Sequence, residues 1–262
     1  MTDQRVVRID ALPDGAWRCH GYDAVVCIDV LLSTTTVVTA AAMGRRVFPV
    51  ATPLEALRLQ IRLSSALVVA DALEQPADAA PLAGPARIAS GFTLARSLVH
   101  LSPLAEMLAA AAPGVTVYVA CLRNLRATAA AIAQRHRRVA IIGIGEAGEV
   151  CAEDQMAAAW LAGRLHRFGF APEGRNTVAE VARWGQPDVS LVGLSRSAER
   201  LRSRGRSEEV DFVLGHVDDL DLVLAFEEGE LRPKPVEVDR PQAVGERTGA
   251  APWPVENAPR GH

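Results

Sequence analysis

Runs of apolar residues alternate along the chain with segments whose hydrophobic spacing is helical. The apolar runs are continuous in Val, Ile and Leu, which is typical of strands that are buried on both faces of a sheet. The pattern predicts strands at 23–30, 46–50, 66–71, 115–120, 139–145 and 220–226. It predicts helices from Ser33 to Met43 and at 52–63, 104–112, 124–136 and 152–169, with a largely helical stretch at 177–204.

Capping signals support two of these helices. Gly44 follows the first one and is suited to the left-handed conformation that ends many helices. Thr52 and Pro53 open the second, because threonine is a good N-cap and proline fits the first helical position. These local signals place the helix ends independently of the hydrophobic pattern.

Interleaved strands and helices predict an α/β fold, layered α/β/α, with a largely parallel or mixed sheet. Residues 1–226 form this α/β region, and a split into two subdomains near 105–138 stays open. Residues 72–103 are rich in Pro, Ala and Gly and are predicted to be irregular. Residues 227–262 combine Pro, Gly and charged residues without periodicity, which predicts a disordered C-terminal tail.

The segment "VVCIDVLLSTTTVVTAAAMG", residues 25–44, joins a buried strand to a helix and carries polar residues at the junction. Asp29 lies near the carboxyl end of the strand, and Ser33 or Thr34 is the predicted cap of the helix. In parallel sheets ligands bind at such strand ends, and a helix N-terminus favours an anion. The alternative is that the hydroxyls only cap the helix and Asp29 only accepts backbone hydrogen bonds. Four consecutive hydroxyl residues exceed what a cap needs, which favours a joint cation and anion site.

A second acidic cluster follows the predicted strand 139–145. Glu146, Glu149, Glu153 and Asp154 supply carboxylates, which suit Mg²⁺ because this ion prefers oxygen ligands. Glu153 and Asp154 also have a simpler explanation, since acidic residues in a first helical turn stabilise the helix dipole. Glu149 lies before the helix and escapes that explanation.

The same segment contains the spacing G-x-G-x-x-G at Gly143, Gly145 and Gly148. This spacing after a strand is part of the dinucleotide-binding fingerprint. Two glutamates would face the pyrophosphate here, and no second strand carries the acidic residue expected about 20 residues further on. The pattern therefore favours a carboxylate site over a dinucleotide site.

Composition narrows the classes of partner. The chain has 262 residues, 49% of them hydrophobic, and a net charge of -3, which gives no electrostatic case for binding nucleic acid or an anionic membrane. No apolar run approaches the roughly 18 residues of a membrane span, and the four cysteines form no C-x-x-C pair. We expect a soluble cytoplasmic protein with no nucleic-acid or membrane partner. Its oligomeric state stays open, with a homodimer as one alternative.

These segments resemble a known family, the Mg²⁺-dependent 2-phosphosulfolactate phosphatases of coenzyme M biosynthesis and their bacterial homologues. The resemblance covers about residues 24–226 in order. "VVCIDVLLSTTTVVTAAAMGRRVFPVATPLEAL" is similar to the family's opening block, and "GIGEAGEVCAEDQMAAA" to its glycine and acidic block. "YVACLRNLRATAAAI" and "VDFVLGHVDDLDLV" resemble its asparagine turn and its closing segment less specifically.

The resemblance implies a Mg²⁺ cofactor, a small phosphorylated anionic substrate and roles for individual residues. Asp29 and Glu149 are the implied catalytic residues. The predicted substrate-binding residues are Ser33, Thr34, Thr35 and Asn124, and the predicted magnesium ligands are Asp29, Glu149, Glu153 and Asp154.

The chain also departs from the family's pattern. Leu32 and Glu146 stand where the family has arginines, and Ser197-Ala198 stands where it has His-Gly. Leucine and glutamate cannot replace the bidentate contacts that arginine makes with phosphate or sulfonate.

Three hypotheses follow. The first is a Mg²⁺-dependent phosphatase that hydrolyses a small phosphorylated acid, similar to 2-phosphosulfolactate, by metal-assisted attack of water. The second is a degenerate homologue with a binding or regulatory role and no phosphatase activity. The third is an isochorismatase-like hydrolase using Asp29 and Cys121. Such enzymes need a lysine between these positions, and the only lysine is Lys234, in the predicted tail.

Overall fold

The structure is a computed structural model that describes residues 4–11, 21–70, 84–109, 111–146 and 148–235. The strands are β1 (Val6–Ala11), β2 (Ala24–Ile28), β3 (Arg46–Val50), β4 (Ala66–Ala70), β5 (Ser97–Leu101), β6 (Thr116–Ala120), β7 (Arg138–Gly143), β8 (Ala171–Pro172), β9 (Val223–Glu227) and β10 (Glu230–Lys234). The helices are α1 (Ser33–Ala42), α2 (Pro53–Arg62), α3 (Pro85–Ala89), α4 (Leu104–Ala109), α5 (Leu125–Arg135), α6 (Ala152–Arg167), α7 (Arg175–Trp184), α8 (Ser190–Gly193), α9 (Arg196–Ser203) and α10 (Ser207–Gly215).

All of these strands belong to one mixed sheet, in the order β4-β5-β3-β10-β9-β6-β2-β7-β1-β8. On one side β4, β5 and β3 pair in parallel, and on the other side β6, β2, β7, β1 and β8 do. The β9–β10 hairpin lies between these two halves and pairs antiparallel with both. The two parallel halves therefore run in opposite directions.

Helices cover both faces of the sheet because successive residues of a strand point to opposite faces. Val26 and Ile28 of β2 pack into a core with α5 and α6. Val25 and Cys27 of the same strand pack on the other face with α1 and α4. The predicted α/β fold class with a mixed sheet and helical layers is confirmed.

The central strands β2 and β7 lie side by side and run in parallel. After β2 the chain passes through α1 to β3, on one side of the pair, and after β7 it passes through α6 to β8, on the other side. The carboxyl ends of β2 and β7 therefore form a topological switch point, the place where ligands bind in open α/β sheets.

A buried arginine connects several segments of the chain beside this edge of the sheet. Arg123 lies in a 3₁₀ turn, Leu122–Asn124, at the end of β6. Its Nη2 lies 2.6 Å from Asp219 Oδ2, its Nη1 donates to Thr39 Oγ1 at 2.9 Å, and its guanidinium lies over the ring of Phe212. The family-like closing segment thus has a packing role, since it fixes the turn after β6.

The capping predictions for the start of α2 and for the end of α1 are confirmed. Thr52 Oγ1 accepts a hydrogen bond from the Glu55 amide in a capping box, and Pro53 opens α2. Gly44 has a φ of 76° directly after the C-cap of α1.

One prediction about regular structure is wrong, and one strand is missing from the prediction. The segment 72–103, predicted to be irregular, contains α3 and β5 in its described part. The pattern misses β5 because buried polar residues, Ser97 and His100, interrupt its apolar residues. The strand β1 at the start of the described chain is also absent from the prediction.

The predicted tail begins too early. Residues 230–234 form β10 inside the sheet, although Pro233 makes that segment unlike a strand. The proline is tolerated because β10 pairs with β3 only through Leu231 and Val47. The rest of the predicted tail, 236–262, lies outside the described residues.

The predicted subdomain split near 105–138 falls between strands that share one sheet, since β6 lies inside this interval.

Among the helices of the described ranges, none combines the length and the apolar character needed to cross a bilayer.

Candidate active site at the carboxyl ends of β2 and β7

Asp29 is the first residue after β2 and is partly buried. The hydroxyl of Ser33 donates to Asp29 Oδ2 at 2.6 Å. The backbone of Asp29 is also held, because its amide donates to Thr34 Oγ1 at 3.1 Å and its carbonyl accepts from the Thr34 hydroxyl at 2.6 Å. These bonds fix the position of the Asp29 carboxylate at the edge of the sheet.

The predicted cap of α1 is wrong. The N-cap is Leu32, which makes no side-chain hydrogen bond, and the hydroxyl residues lie inside the first turns of the helix. Their hydroxyls donate backwards to the strand–helix connection, as when Thr35 donates to the carbonyl of Val30 at 2.8 Å. Ser33, Thr34 and Thr35 are each at most 1% exposed. Their predicted role in binding substrate stays a prediction, and the structure shows that they stabilise the β2–α1 connection.

Asp154 ties the two central strands together. It lies in the first turn of α6, where its Oδ1 accepts from the Val30 amide at 2.8 Å and its Oδ2 accepts from the Gly145 amide at 3.0 Å. The two amides belong to the segments that follow β2 and β7. One carboxylate therefore couples both halves of the switch point.

Asp154 shares its surroundings with two other carboxylates. Burial, together with the negative charges of Asp29 and Glu153, raises the pKa of Asp154 well above its ordinary value. Burial and the same three carboxylates also raise the pKa of the Cys151 thiol. Three acidic groups from two segments thus repel one another at the edge of the sheet.

A bound cation would relieve this repulsion, and the oxygen donors suit Mg²⁺. No three His, Cys, Asp or Glu side chains of the described residues are arranged so that they would hold a metal by themselves. Mg²⁺ does not require that many, because it is commonly bound by one or two carboxylates together with water and substrate phosphate. The chemistry of Asp29 and Glu153 therefore fits this ion, whereas both oxygens of Asp154 are engaged by backbone amides.

A buried amide lies beside the carboxylates. Gln155 is 4% exposed, and neither polar atom of its side chain has a hydrogen-bond partner in the described part of the chain. Its Nε2 would lie 2.5 Å from a Cβ placed on Gly143, the last residue of β7. An unsatisfied buried amide is costly, so its presence at this edge is typical of a ligand or water site.

The glycine spacing has a structural explanation. A side chain at Gly143 would collide with Gln155 and would lie 3.0 Å from Asp154 Cβ, so glycine allows α6 to pack on the end of β7. Gly145 and Gly148 have φ values of 71° and 81°, which favour glycine. Close packing and a tight turn account for all three positions without a dinucleotide.

Glu149 lies in the turn between β7 and α6. Glu146 and Glu149 face each other across the turn through two backbone hydrogen bonds, of 3.0 and 2.8 Å. The side chain of Glu149 is 72% exposed, and its Oε2 lies 3.5 Å from Arg196 Nη1. Its predicted catalytic and metal-binding roles stay predictions, and the contact shown by the structure is with an arginine.

Sequence reasoning missed two arginines near the site. Arg196 and Arg200 of α9 line a cleft of about 90 Å³, and Arg200 forms an ion pair with Glu146. The cleft is completed by the turn and by the first residues of α6, including Cys151 and Glu153. The signal in the sequence was the four-residue spacing of the arginines within a predicted helical stretch, which places both on one helix face.

Asn124 and Cys121 lie at the end of β6 and are fully buried. Asn124 Oδ1 accepts from the Cys121 amide at 2.9 Å, and its Nδ2 donates to the Leu222 carbonyl at 3.1 Å, so it joins β6 to β9. Its predicted role in binding substrate stays a prediction. Burial raises the pKa of Cys121 to about 11, which makes this thiol a poor nucleophile at neutral pH.

The structure also shows the surroundings of Leu32 and Glu146, the two residues that stand where the family has arginines. Leu32 is buried in the hydrophobic core on the α6 face of the sheet. Glu146 forms an ion pair with Arg200, so a basic group is present close to the position where the family has one.

A sequence model described as "2-phosphosulpholactate phosphatase" matches residues 91–229, which is more than half of the chain. The matched part includes β6, β7 and α6, with Glu153 and Asp154, whereas Asp29 precedes it. No curated protein matches the chain.

Proposed function

Since the chain belongs to the 2-phosphosulfolactate phosphatase family, we propose that it hydrolyses the phosphate ester of a small phosphorylated acid and that it uses Mg²⁺. The products are inorganic phosphate and the hydroxy acid. The oxygen of water forms the new bond to phosphorus, the bond from phosphorus to the ester oxygen breaks, and a proton passes to the departing alkoxide.

The observation that carries the proposal is the group of three carboxylates at the switch point. Asp29 follows β2, and Glu153 and Asp154 lie in the first turn of α6; burial and the charges of Asp29 and Glu153 raise the pKa of Asp154. The α6 dipole and the backbone bonds of Asp154 account for Glu153 and Asp154, but they do not account for the third carboxylate, Asp29, whose charge also raises the pKa of Asp154. A divalent cation at the phosphate of the substrate would account for all three.

Each carboxylate has its own part in the proposal. Asp29 and Glu153 would hold Mg²⁺, which when bound polarises the phosphoryl group and lowers the pKa of a water molecule. Asp154, with both oxygens engaged by backbone amides, fixes the two segments that carry the site. The Ser33 hydroxyl orients Asp29, and the amide of Gln155 is available to a phosphate oxygen or a bound water.

The proposal is tested by phosphate release from a panel of phosphorylated hydroxy acids, with Mg²⁺ and with EDTA. We expect turnover that requires Mg²⁺ and that falls by about a hundredfold or more in Asp29→Asn. Asp211→Asn is the matched control, because Asp211 is exposed on α10 and the charge change is the same. Turnover that persists in both EDTA and Asp29→Asn would overturn the proposal.

A second candidate is a binding protein that keeps the site without catalysis. The observation in its favour is that Leu32 is buried in the core and Glu146 holds Arg200 in an ion pair. This candidate predicts Mg²⁺ binding, abolished by Asp29→Asn, with no phosphate release from any ester of the panel. The third hypothesis, a cysteine hydrolase, has no support from the buried Cys121 thiol.

A further inference from the structure

We propose that Arg196 and Arg200 form a clamp for the second acid group of the substrate, a carboxylate or sulfonate that is not hydrolysed. This inference rests on the proposed function for the identity of the substrate. Beyond that function, it identifies the residues that select an ester carrying an additional negative charge. Glu146 and Glu149 hold the clamp when no substrate is present.

The two arginines lie four residues apart on α9, which places their side chains on one face of the helix. Arg196 faces Glu149, with 3.5 Å between Nη1 and Oε2, and Arg200 forms an ion pair with Glu146. Both arginines line the same cleft. Two cationic residues thus border one small space.

The cleft adjoins the carboxylate group. Glu153 lines the cleft and is also one of the charges that raise the pKa of Asp154. Cys151 Sγ lies 3.6 Å from Ser197 Oγ between α6 and α9, and both residues line the cleft. A molecule with its phosphate at the carboxylate group would therefore extend its remaining part towards the arginines.

The size of the cleft limits what it can hold. Its volume of about 90 Å³ exceeds the roughly 10–15 Å³ that one water molecule needs. This space suits one acid group and is too small for a complete ligand, since pockets for drug-sized molecules measure about 300–1,000 Å³. The cleft is therefore one subsite of a larger site.

The glutamates imitate the expected ligand. Their carboxylates are presented side by side by the backbone bridge between Glu146 and Glu149. Arginine binds carboxylate and sulfonate groups through paired N–H donors, so an incoming acid group can take over these contacts. The Arg196–Glu149 pair is largely exposed, and exposed ion pairs are weak, so exchange of partners is easy.

The kinetic test compares esters that differ in the second acid group. The variants are Arg196→Gln, Arg200→Gln and the double variant, with Arg58→Gln as an exposed control on α2. For 2-phosphosulfolactate and phospholactate we expect the double variant to raise KM about tenfold or more while kcat stays within about twofold. For isopropyl phosphate, which lacks the acid group, we expect no change. An equal rise in KM for both kinds of ester, or no rise for either, would overturn the clamp.

A binding test separates the clamp from the phosphatase reaction. Sulfolactate, which carries no phosphate, is titrated calorimetrically into each variant at low ionic strength. We expect wild type and Arg58→Gln to bind it and the double variant to lose most of the affinity. Glu146→Gln should bind more tightly, because Arg200 loses its competing partner, whereas Glu106→Gln, an exposed change on α4, should not differ from wild type.

The two tests have distinct failures. Loss of sulfolactate binding in the double variant, without phosphatase activity in any variant, would retain the clamp and refute the phosphatase reaction. Phosphatase activity with equal sulfolactate binding by wild type and the double variant would refute the clamp and retain the reaction.

Discussion

Replacing Asp154 by alanine is expected to lower the free energy of unfolding by about 2–4 kcal/mol. The Asp154 carboxylate accepts two backbone hydrogen bonds, from Val30 and Gly145. Val30 is completely buried, so its unsatisfied amide should cost about 1–3 kcal/mol. Gly145 is partly exposed, so water can replace the lost acceptor and its amide should cost about 1 kcal/mol.

An opposing effect decides where in this range the result falls. Alanine also removes one of three mutually repelling carboxylates, which by itself stabilises the folded state. Asp154→Asn separates the two effects, since asparagine removes the charge as alanine does but keeps the shape and one acceptor oxygen. We expect Asn to cost about 1–2 kcal/mol less than Ala.

The measurement is urea unfolding at pH 7 in EDTA, followed by far-ultraviolet circular dichroism. Asp211→Ala on the exposed face of α10 is the control and should stay within about 0.5 kcal/mol of wild type. An alanine variant of Asp154 that is equally close to wild type would refute the coupling of the two strands through this carboxylate. An asparagine variant less stable than the alanine variant would refute the argument that the retained oxygen still accepts a backbone hydrogen bond.

Addition of Mg²⁺ extends the same experiment. A concentration of a hundred times Kd should stabilise the wild type by about 2.7 kcal/mol, and the effect should be smaller in Asp154→Asn. Identical unfolding curves of the wild type with and without Mg²⁺ would contradict the proposed cation site.

Three further predictions concern the surroundings of the site and the sheet. At pH 7.5 native Cys121 should resist iodoacetamide, because a pKa of about 11 leaves roughly 0.1% thiolate or less, and peptide mass mapping should find it modified only after unfolding. Gly143→Ala should destabilise the protein by about 1–3 kcal/mol through its collision with Gln155, and a double variant with Gln155→Ala should recover part of this loss in a urea titration. The hydrogen bond from Arg46 lowers the pKa of Glu230, so this pair contributes stability above the unfolded pKa of 4.5 and loses it as the pH falls through the folded pKa. Arg46→Gln should therefore differ in stability from wild type by under about 1 kcal/mol at pH 7. Thermal unfolding at acidic pH should show no difference between the two proteins.

The predictions that are confirmed depend on neighbouring residues. The start of α2 follows from Thr52 and Glu55, which form a capping box within a single turn, and from Pro53 at the first helical position. The end of α1 follows from Gly44, whose positive φ needs no distant partner. Continuous apolar runs likewise identified the central strands, because those strands are buried on both faces.

The elements that were missed depend on distant partners. The strand β5 contains His100 and lies between β3 and β4, so its place in the sheet compensates for its polar residues. The strand β10 contains Pro233 and pairs with β3 through residues far apart in the sequence. No short-range pattern reports such contacts.

The site residues show the same contrast between local and distant contacts. Asp29 and Asp154 were predicted to share a cation site because each lies near the carboxyl end of a strand. Their coupling needs β2 and β7 to be neighbours, which is set by the order of the whole sheet. Glu149 was included among the predicted ligands because no local role explained it. The structure shows it in contact with Arg196, which lies 47 positions further along the chain.

The β9–β10 hairpin has a consequence for the synthesis of this protein on the ribosome. Tyr118 of β6 pairs with Ala225, and Val47 of β3 pairs with Leu231, so the hairpin supplies the only hydrogen-bonded link described between the two parallel halves. Until residues 223–234 have emerged from the ribosome, β3 and β6 each have one edge without a partner strand. Such exposed edges can pair with strands of other chains and so promote aggregation. The hairpin is the last pair of strands in the described part of the chain, so the sheet becomes continuous only when nearly all of that part has been translated.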